Sequence, residues 1–142
     1  MKQGFSLIEL IFVLMIIGIL ASFAYPSYKN TLFRARRSEA QTAVCDLAQS
    51  MEDYYFIHHS YKIAKQHLGQ RQTPNAWYNL SIEKANDHAY RLHAIPRGAQ
   101  ANDVQCQTLT LDHTGQQGLA AGPNGEPQGT AANCWQYNLI ID

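Results

Sequence analysis

Hydrophobic residues are concentrated at the start of the chain, in a run that carries a single charge. The run extends from Phe5 to Tyr25, and Glu9 is its only charged residue. As an α-helix, it is long enough to cross the ~30 Å apolar layer of a lipid bilayer. A lone carboxylate in such a segment costs about 2.5–3.5 kcal/mol on insertion scales, so Glu9 is expected to have a function and a partner.

After Pro26 the pattern changes, because apolar residues recur at steps of three or four with one larger gap. This periodicity predicts an amphipathic helix that continues the first one to about Ile57, with one apolar stripe for a sheet to cover. Gly18 and Pro26 are the expected kink positions, since proline removes a backbone donor. The stripe consists of Leu32, Ala35, Ala43, Leu47, Met51 and Tyr54.

The remaining sequence alternates between short strand patterns and turn-rich stretches. Alternating apolar and polar residues predict strands over 77–82, 90–95 and 107–112. A turn is predicted between the first two, at 83–88, and irregular structure over 58–73 and 118–132. Three successive strands after one long helix predict an α+β fold, with an antiparallel meander packed on that helix.

Composition and motifs argue against several functional classes. The chain has 142 residues, a formal net charge of zero and no long basic or acidic block, so nucleic acid is not indicated as the main partner. It contains no G-x-S-x-G, P-loop or GxGxxG motif, so we expect no enzyme activity and no cofactor. Its histidines show no zinc-binding spacing and its loops no EF-hand order, so no metal site is expected. The histidines are His58, His59, His67, His88, His93 and His113.

Aromatic residues cluster around the expected end of the helix. Burial between sheet and helix is one explanation, and a contact surface for another subunit or for DNA is the alternative. Lys62, Lys65 and Arg71 are the basic residues nearby that keep the nucleic-acid alternative open. The aromatic residues are Tyr54, Tyr55, Phe56, Tyr61, Trp77 and Tyr78.

The segment Gly4-Phe5-Ser6-Leu7-Ile8-Glu9-Leu10 resembles the processing motif of type IV prepilins, with serine where threonine is commoner. The resemblance implies cleavage after Gly4 by a membrane peptidase, N-methylation of Phe5, and a role for Glu9 in assembly. Physically, cleavage creates an amine that can pair with Glu9 of the same or a neighbouring subunit. A secretory signal cut after Ala24 and a plain signal anchor are the alternatives.

The later sequence is similar to type IV pilins, most of all to PilE-type minor pilins. The matching features are Tyr78-Asn79-Leu80, Tyr90-x-Leu92-x-Ala94-x-Pro96, Cys106-x-x-Leu109-Thr110-Leu111 and Cys134-Trp135. The resemblance implies the type IV pilin fold. Its expected segments are a leader at 1–4, a transmembrane half-helix at 5–26, an amphipathic half-helix at 27–57 and a globular head at 58–142. The tail after Trp135 departs from the pattern, as a short added strand or a free end.

Cys106 and Cys134 are the cysteines that we expect to form a disulfide bond, because both lie in polar, turn-rich sequence of a domain exported to an oxidising space. The resemblance to pilins implies that the segment 106–134 of this chain is the disulfide-bounded loop of that family. Cys45 lies in the helical pattern and is expected to be a small buried residue.

Together these features predict a structural subunit, a minor pilin of a type IV pilus. It would be held in the inner membrane with its head extracytoplasmic, and then move into a pilus at the cell surface. Its expected partners are other pilins, the prepilin peptidase and methyltransferase, the assembly machinery and the membrane. Twitching, adhesion and DNA uptake remain open as roles. A type II secretion pseudopilin and a membrane-tethered binding or adhesion module are the alternatives.

Overall fold

The computed structural model describes residues 6–135, so the predicted tail after Trp135 lies outside the described residues. In chain order, its elements are α1 (Leu7–His58), α2 (Ala64–Leu68), β1 (Arg71–Gln72), β2 (Tyr78–Ala85), β3 (Tyr90–Pro96), a 3-10 helix (Gly98–Asn102), β4 (Thr108–Asp112), β5 (Gln117–Ala120) and α3 (Ala131–Cys134).

By its internal contacts the chain divides into two units, Met1–Phe33 and Arg34–Asp142. We call the described part of the second unit, residues 34–135, the head. The helix α1 extends from Leu7 to His58 and therefore supplies residues to both units. The second half of α1, which the expected segments separate from the head at residue 58, shares a core with the sheet.

The second half of α1 packs into the core of the head through residues at steps of three and four. Ala40, Val44, Leu47, Met51 and Tyr54 are buried there. The predicted stripe was right at its last three positions. Ala43 is half-buried and packs against this core, and Leu32 is also half-buried, whereas the prediction was wrong at Ala35, which is exposed.

A five-stranded antiparallel sheet completes the head, with the strands in the order β1-β2-β3-β4-β5. Its core-facing residues join the buried residues of α1 in a single cluster. They are Tyr78, Leu80, Ile82, Tyr90, Leu92, Ala94, Leu109 and Leu111. The predicted α+β meander on a long helix is thus confirmed, and β2, β3 and β4 lie where the alternation placed them.

Three stretches expected to be irregular are partly regular. The segment 118–132 contains most of β5 and part of α3, and the segment 58–73 contains α2 and β1. The strand β2 also extends into the predicted turn, as far as Ala85, with an irregularity between Ile82 and Lys84. Gly118 explains the missed strand, because a Cβ there would lie 2.7 Å from Thr110 Oγ1. A larger residue at 118 would displace the Thr110 side chain, whereas the sequence alone suggested that this glycine lay in a loop.

Candidate functional sites

The first half of α1 is apolar on all sides and has an 18-residue window of mean hydropathy 2.7, none of which is buried. By length and composition, it is able to cross a membrane. The predicted cleavage and methylation residues, Gly4 and Phe5, lie outside the described residues. Glu9 lies in the first turns of the helix and is exposed, and no described side chain forms an ion pair with it.

The two expected kink positions both lie inside α1. Pro26 is within the helix, and the surroundings of Gly18 are open, because a Cβ at that position would have no neighbouring atom within 4 Å. One turn before the proline, the Ser22 hydroxyl donates a hydrogen bond to the carbonyl of Ile19 at 2.6 Å. A bend at either position remains a prediction.

The predicted disulfide bond between Cys106 and Cys134 is present, with Cα atoms 5.6 Å apart. It closes a loop that is fastened to the rest of the head at its end. Gln41 Nε2 of α1 donates to the Cys134 carbonyl at 2.9 Å, and Trp135 Nε1 donates to the Gly118 carbonyl at 3.0 Å. The end of the loop is therefore held to α1 at Cys134, and Trp135, directly after the loop, is held to β5 within it.

A buried ion pair links α1 to the segment before β4. The Nε and Nη2 atoms of Arg37 donate to the two carboxylate oxygens of Asp103, each at 2.6 Å. Gln100 Nε2 donates to Asp103 at 3.2 Å and to Tyr78 Oη at 2.8 Å. Burial raises the pKa of Tyr78. Sequence analysis missed this network, because nothing in the local pattern connects residues so far apart.

The aromatic residues at the end of α1 surround a carboxylate. Glu52 accepts hydrogen bonds from the hydroxyls of Tyr61, at 3.0 Å, and Tyr90, at 2.9 Å. Burial, together with Glu52, raises the pKa of Tyr61 to about 12 and raises that of Tyr90 as well. The predicted core role holds for Tyr61, whereas Phe56 is 84% exposed.

The sheet face opposite the core, which we call the outer face, carries a straight row of small or polar residues. Ser81 pairs with His93, His93 with Thr110, and Thr110 with Gly118, so the row crosses four strands. A cavity of about 330 Å³ lies over its β3–β5 part, and a second of about 360 Å³ over its β2–β3 part, where Lys65 of α2 contributes.

His93 occupies the middle of this row, between the two cavities. Its Nε2 lies 3.2 Å from Glu83 Oε2, and Arg91 Nη1 lies 3.9 Å from the same oxygen. Burial lowers the pKa of His93, although Glu83 acts in the opposite direction. The outer face therefore combines a half-buried imidazole, a carboxylate and a guanidinium in one open polar surface.

Cationic side chains surround the row. Lys65 lines the second cavity and Arg91 the first. Lys84 is the register partner of Arg91 across β2 and β3. Arg97 reaches the outer face, where its Nη1 donates to Asn79 Oδ1 at 3.3 Å. Sequence analysis named Lys65 but missed the other three, because their common face depends on the register of the strands.

The turn before β2 is pinned to α1. The Arg36 guanidinium lies 3.7 Å from the centre of the Trp77 ring. Glu39 accepts hydrogen bonds from the backbone and side chain of Asn75 at 2.9 and 2.8 Å. Although burial acts to raise it, these bonds hold the pKa of Glu39 below its ordinary value.

Cys45, elsewhere on α1, has a free, half-buried thiol. Burial raises the pKa of this thiol, as expected of a packing residue.

Comparison with known families divides the chain near Pro26. Residues 1–25 match the "Prokaryotic N-terminal methylation motif", and residues 26–110 match the family described as "Type IV minor pilin ComP, DNA uptake sequence receptor". The motif and the apolar start of α1 fit a membrane-anchored pilin that later joins a pilus. Membership of a pilin family implies assembly with other pilins.

Individual relatives are also fimbrial proteins. The fimbrial protein EcpC of Eikenella corrodens is 29% identical over 119 residues, which cover 82% of this chain and 78% of EcpC. The type IV major pilin PilE1 of Neisseria gonorrhoeae is 40% identical over 58 residues. That match spans 41% of this chain but only 35% of the major pilin.

Two solved pilin structures share the fold, each with a TM-score of 0.52. The minor pilin PilV of Neisseria meningitidis is 26% identical, and the match covers 69% of this chain and 96% of PilV. A type IV pilin of Shewanella oneidensis is 27% identical, over 74% of this chain and 99% of that pilin. Because the ComP match covers more than half of the sequence, the chain belongs to this family of type IV minor pilins.

Proposed function

We propose that this minor pilin is carried in a pilus by the apolar half of α1 and binds DNA through the outer face of its head. The observation that carries the proposal is the position of the positive charges. Every lysine and arginine after residue 33 lies between 34 and 97, inside the segment that matches the ComP family. The disulfide-bounded loop 106–134 contains no lysine or arginine.

The charges of the outer face favour a polyanion. Four cations, Lys65, Lys84, Arg91 and Arg97, are arranged around the row and its cavities. Two carboxylates lie among them: Asp112 accepts hydrogen bonds from Thr114 and Gln116, and Glu83 lies 3.2 Å from His93 and 3.9 Å from Arg91. The cations therefore outnumber the carboxylates on this face. Phosphate contacts from lysine and arginine supply most sequence-independent DNA affinity, so this face is suited to a duplex backbone.

DNA binding is tested with full-length protein in detergent, titrated into a labelled DNA duplex at several salt concentrations. Arg91→Gln and Lys65→Gln should each weaken binding and reduce the salt slope by about one. Lys62→Gln is the matched control, because Lys62 is an exposed lysine of the head that lines neither cavity. If Arg91→Gln and Lys65→Gln bind like the wild type, the outer face is not the DNA interface.

Before assembly, we propose that the chain is cut after Gly4, methylated on Phe5 and held in the inner membrane with its head extracytoplasmic. An oxidising space on that side fits the Cys106–Cys134 disulfide bond. In the pilus, the amino terminus of a neighbouring subunit would pair with Glu9 and remove the penalty of an isolated carboxylate among apolar helices.

Mass spectrometry of the mature amino terminus tests this maturation. The expected mature chain begins at N-methylated Phe5, and Gly4→Val should leave the full precursor uncut. A mature protein that begins at Met1 or at Tyr25 would contradict the proposal, because the required amine would then be absent or the Glu9 segment removed.

A further inference from the structure

One pair of side chains on the outer face borders both of its cavities. Glu83 and His93 line the cavity over β3–β5, and the same two residues line the cavity over β2–β3. The pair is in contact, because His93 Nε2 lies 3.2 Å from Glu83 Oε2. A polyanion that occupied either cavity would therefore lie against this imidazole and this carboxylate.

Charged residues from β2, β3, β4 and α2 surround the imidazole on this face. Arg91 lies two residues before His93 on β3, and therefore on the same side of the sheet. In the register of the strands, Arg91 has Lys84 on one side and Asp112 on the other. The strand β5 carries no charged residue. The surrounding charged residues are Glu83, Lys84, Arg91, Asp112 and Lys65.

The protonation state of His93 at neutral pH follows from its surroundings. Its side chain is 17% exposed, and this burial lowers the pKa of His93, whereas Glu83 acts to raise it and Arg91 to lower it. The pKa lies below the ordinary histidine value of 6.5, so the ring is neutral at neutral pH. It becomes charged only in acid.

The neutral ring is poorly suited to hold a phosphate. A carboxylate beside Nε2 favours the tautomer with its proton on that nitrogen, so Nδ1 is left as an acceptor. Phosphate oxygens also accept hydrogen bonds, and they cannot bind to an acceptor. Protonation turns both ring nitrogens into donors and adds one positive charge between the two cavities.

We propose that His93 contacts a DNA phosphate only in its protonated form, so the outer face holds DNA more tightly in mild acid than at neutral pH. This inference rests on the proposed function of the outer face. The sign follows from linkage, because a nearby phosphate raises the pKa of the ring. Affinity is therefore lowest above the pKa of the DNA-bound ring, and it rises as the pH falls towards the pKa of the free ring.

The test is titration of full-length protein in detergent into a labelled DNA duplex at several salt concentrations, from pH 8 to about pH 5. The wild type should bind roughly threefold to tenfold more tightly in acid, as for a ring whose pKa rises by up to about one unit on binding. Its salt slope should steepen by about 0.9, as for one further phosphate contact. His93→Gln should lose both changes. His88→Gln, at an exposed histidine that lines neither cavity, is the matched control and should keep them.

Glu83→Gln should give a change of opposite sign at neutral pH. The variant removes a negative charge from the face, so DNA should bind more tightly there. It also removes the carboxylate that acts to raise the pKa of His93, so the gain in acid should move to lower pH. Weaker binding of Glu83→Gln at every pH would show that the pair has only a structural role, and would overturn the inference.

Nuclear magnetic resonance of the His93 imidazole in the wild type checks the same step without a substitution. The ring should titrate at a higher pH with the duplex bound than without it. If Arg91→Gln weakens DNA binding but the titration of His93 does not move, the inference is wrong and the proposed function stands. If Arg91→Gln and Lys65→Gln bind like the wild type at every pH, both are wrong.

Discussion

The two halves of α1 have the same helical backbone but differ in where their apolar side chains lie and whether these are buried. In the first half, apolar side chains surround the helix and remain exposed, from Leu7 at 77% to Phe23 at 75%. In the second half, apolar residues form one stripe, and Ala40, Val44 and Met51 are completely buried. The difference shows that the distribution of apolar residues around a helix, rather than their number, identifies what will cover it.

The two halves of α1 also differ in whether a charged side chain has an ion-pair partner among the described residues. Glu9 in the first half has no ion-pair partner among the described residues, whereas Arg37 in the second half is paired with Asp103 inside the head. For Glu9, the partner that we propose is the amino terminus of a neighbouring subunit, whereas the partner of Arg37 lies within the head. This contrast yields predictions in which a change in one half leaves the other unaffected.

The largest expected effect is on assembly. Glu9→Val should nearly abolish incorporation into pili while leaving processing intact, because the partner of the new amino terminus is lost. Sheared pili and membranes are compared by immunoblotting. Asp53→Asn removes an exposed carboxylate from the second half and is the control expected to assemble. Normal incorporation of Glu9→Val would remove the proposed role of this carboxylate.

The next largest effect is on the stability of the head. Arg37→Ala leaves Asp103 buried without its partner and should lower the free energy of unfolding by about 3–5 kcal/mol. Trp77 and Trp135 are the chain's two tryptophans, so fluorescence during urea denaturation reports the head. The double change Arg37→Met with Asp103→Leu should lose less, because no unpaired charge remains. Equal losses would show that packing, not charge, dominates here.

Matched truncations in the two halves test the contrast directly. Leu47 is 1% exposed and Ile16 is 57% exposed. Leu47→Ala should therefore destabilise the head by about 2–5 kcal/mol, through lost burial and a cavity. Ile16→Ala should change the tryptophan-detected transition by less than about 0.5 kcal/mol. A comparable loss in both variants would mean that the first half contributes to the stability of the head.

The smallest effect concerns alkaline pH. The pKa of Tyr61 is raised from 10.0 to about 12, so the unfolded chain loses this proton first. The contribution of Tyr61 to stability is therefore complete below pH 10 and declines as the pH rises from there towards the folded-state pKa. In Tyr61→Phe, denaturation curves measured between neutral and alkaline pH should show a shallower decline. An unchanged decline would assign it to other groups.

Local pattern predicted much of this molecule. Three- and four-residue steps located the buried positions Leu47, Met51 and Tyr54, and alternation located β2, β3 and β4. The pattern failed at Arg37 and Gln41, which are buried on the same side of α1. Their polar groups are satisfied by partners 66 and 93 residues away, so no local rule could have included them.

The outer face could not be predicted from the sequence for a related reason. The row of Ser81, His93, Thr110 and Gly118 exists only once four strands have a fixed register. Each of these residues is unremarkable within its own segment, and Gly118 by itself suggested a loop. Sites built across elements carry little signal in a single sequence.

The Cys106–Cys134 bond also limits how far the molecule can be stretched. When a chain is pulled from its ends, force travels through covalent bonds, and a disulfide bond bypasses the residues that it encloses. The 28-residue separation of these cysteines corresponds to about 95 Å of extended backbone, at ~3.4 Å per residue, that cannot be drawn out. A single molecule under tension should thus lengthen in two stages, with the second only after reduction.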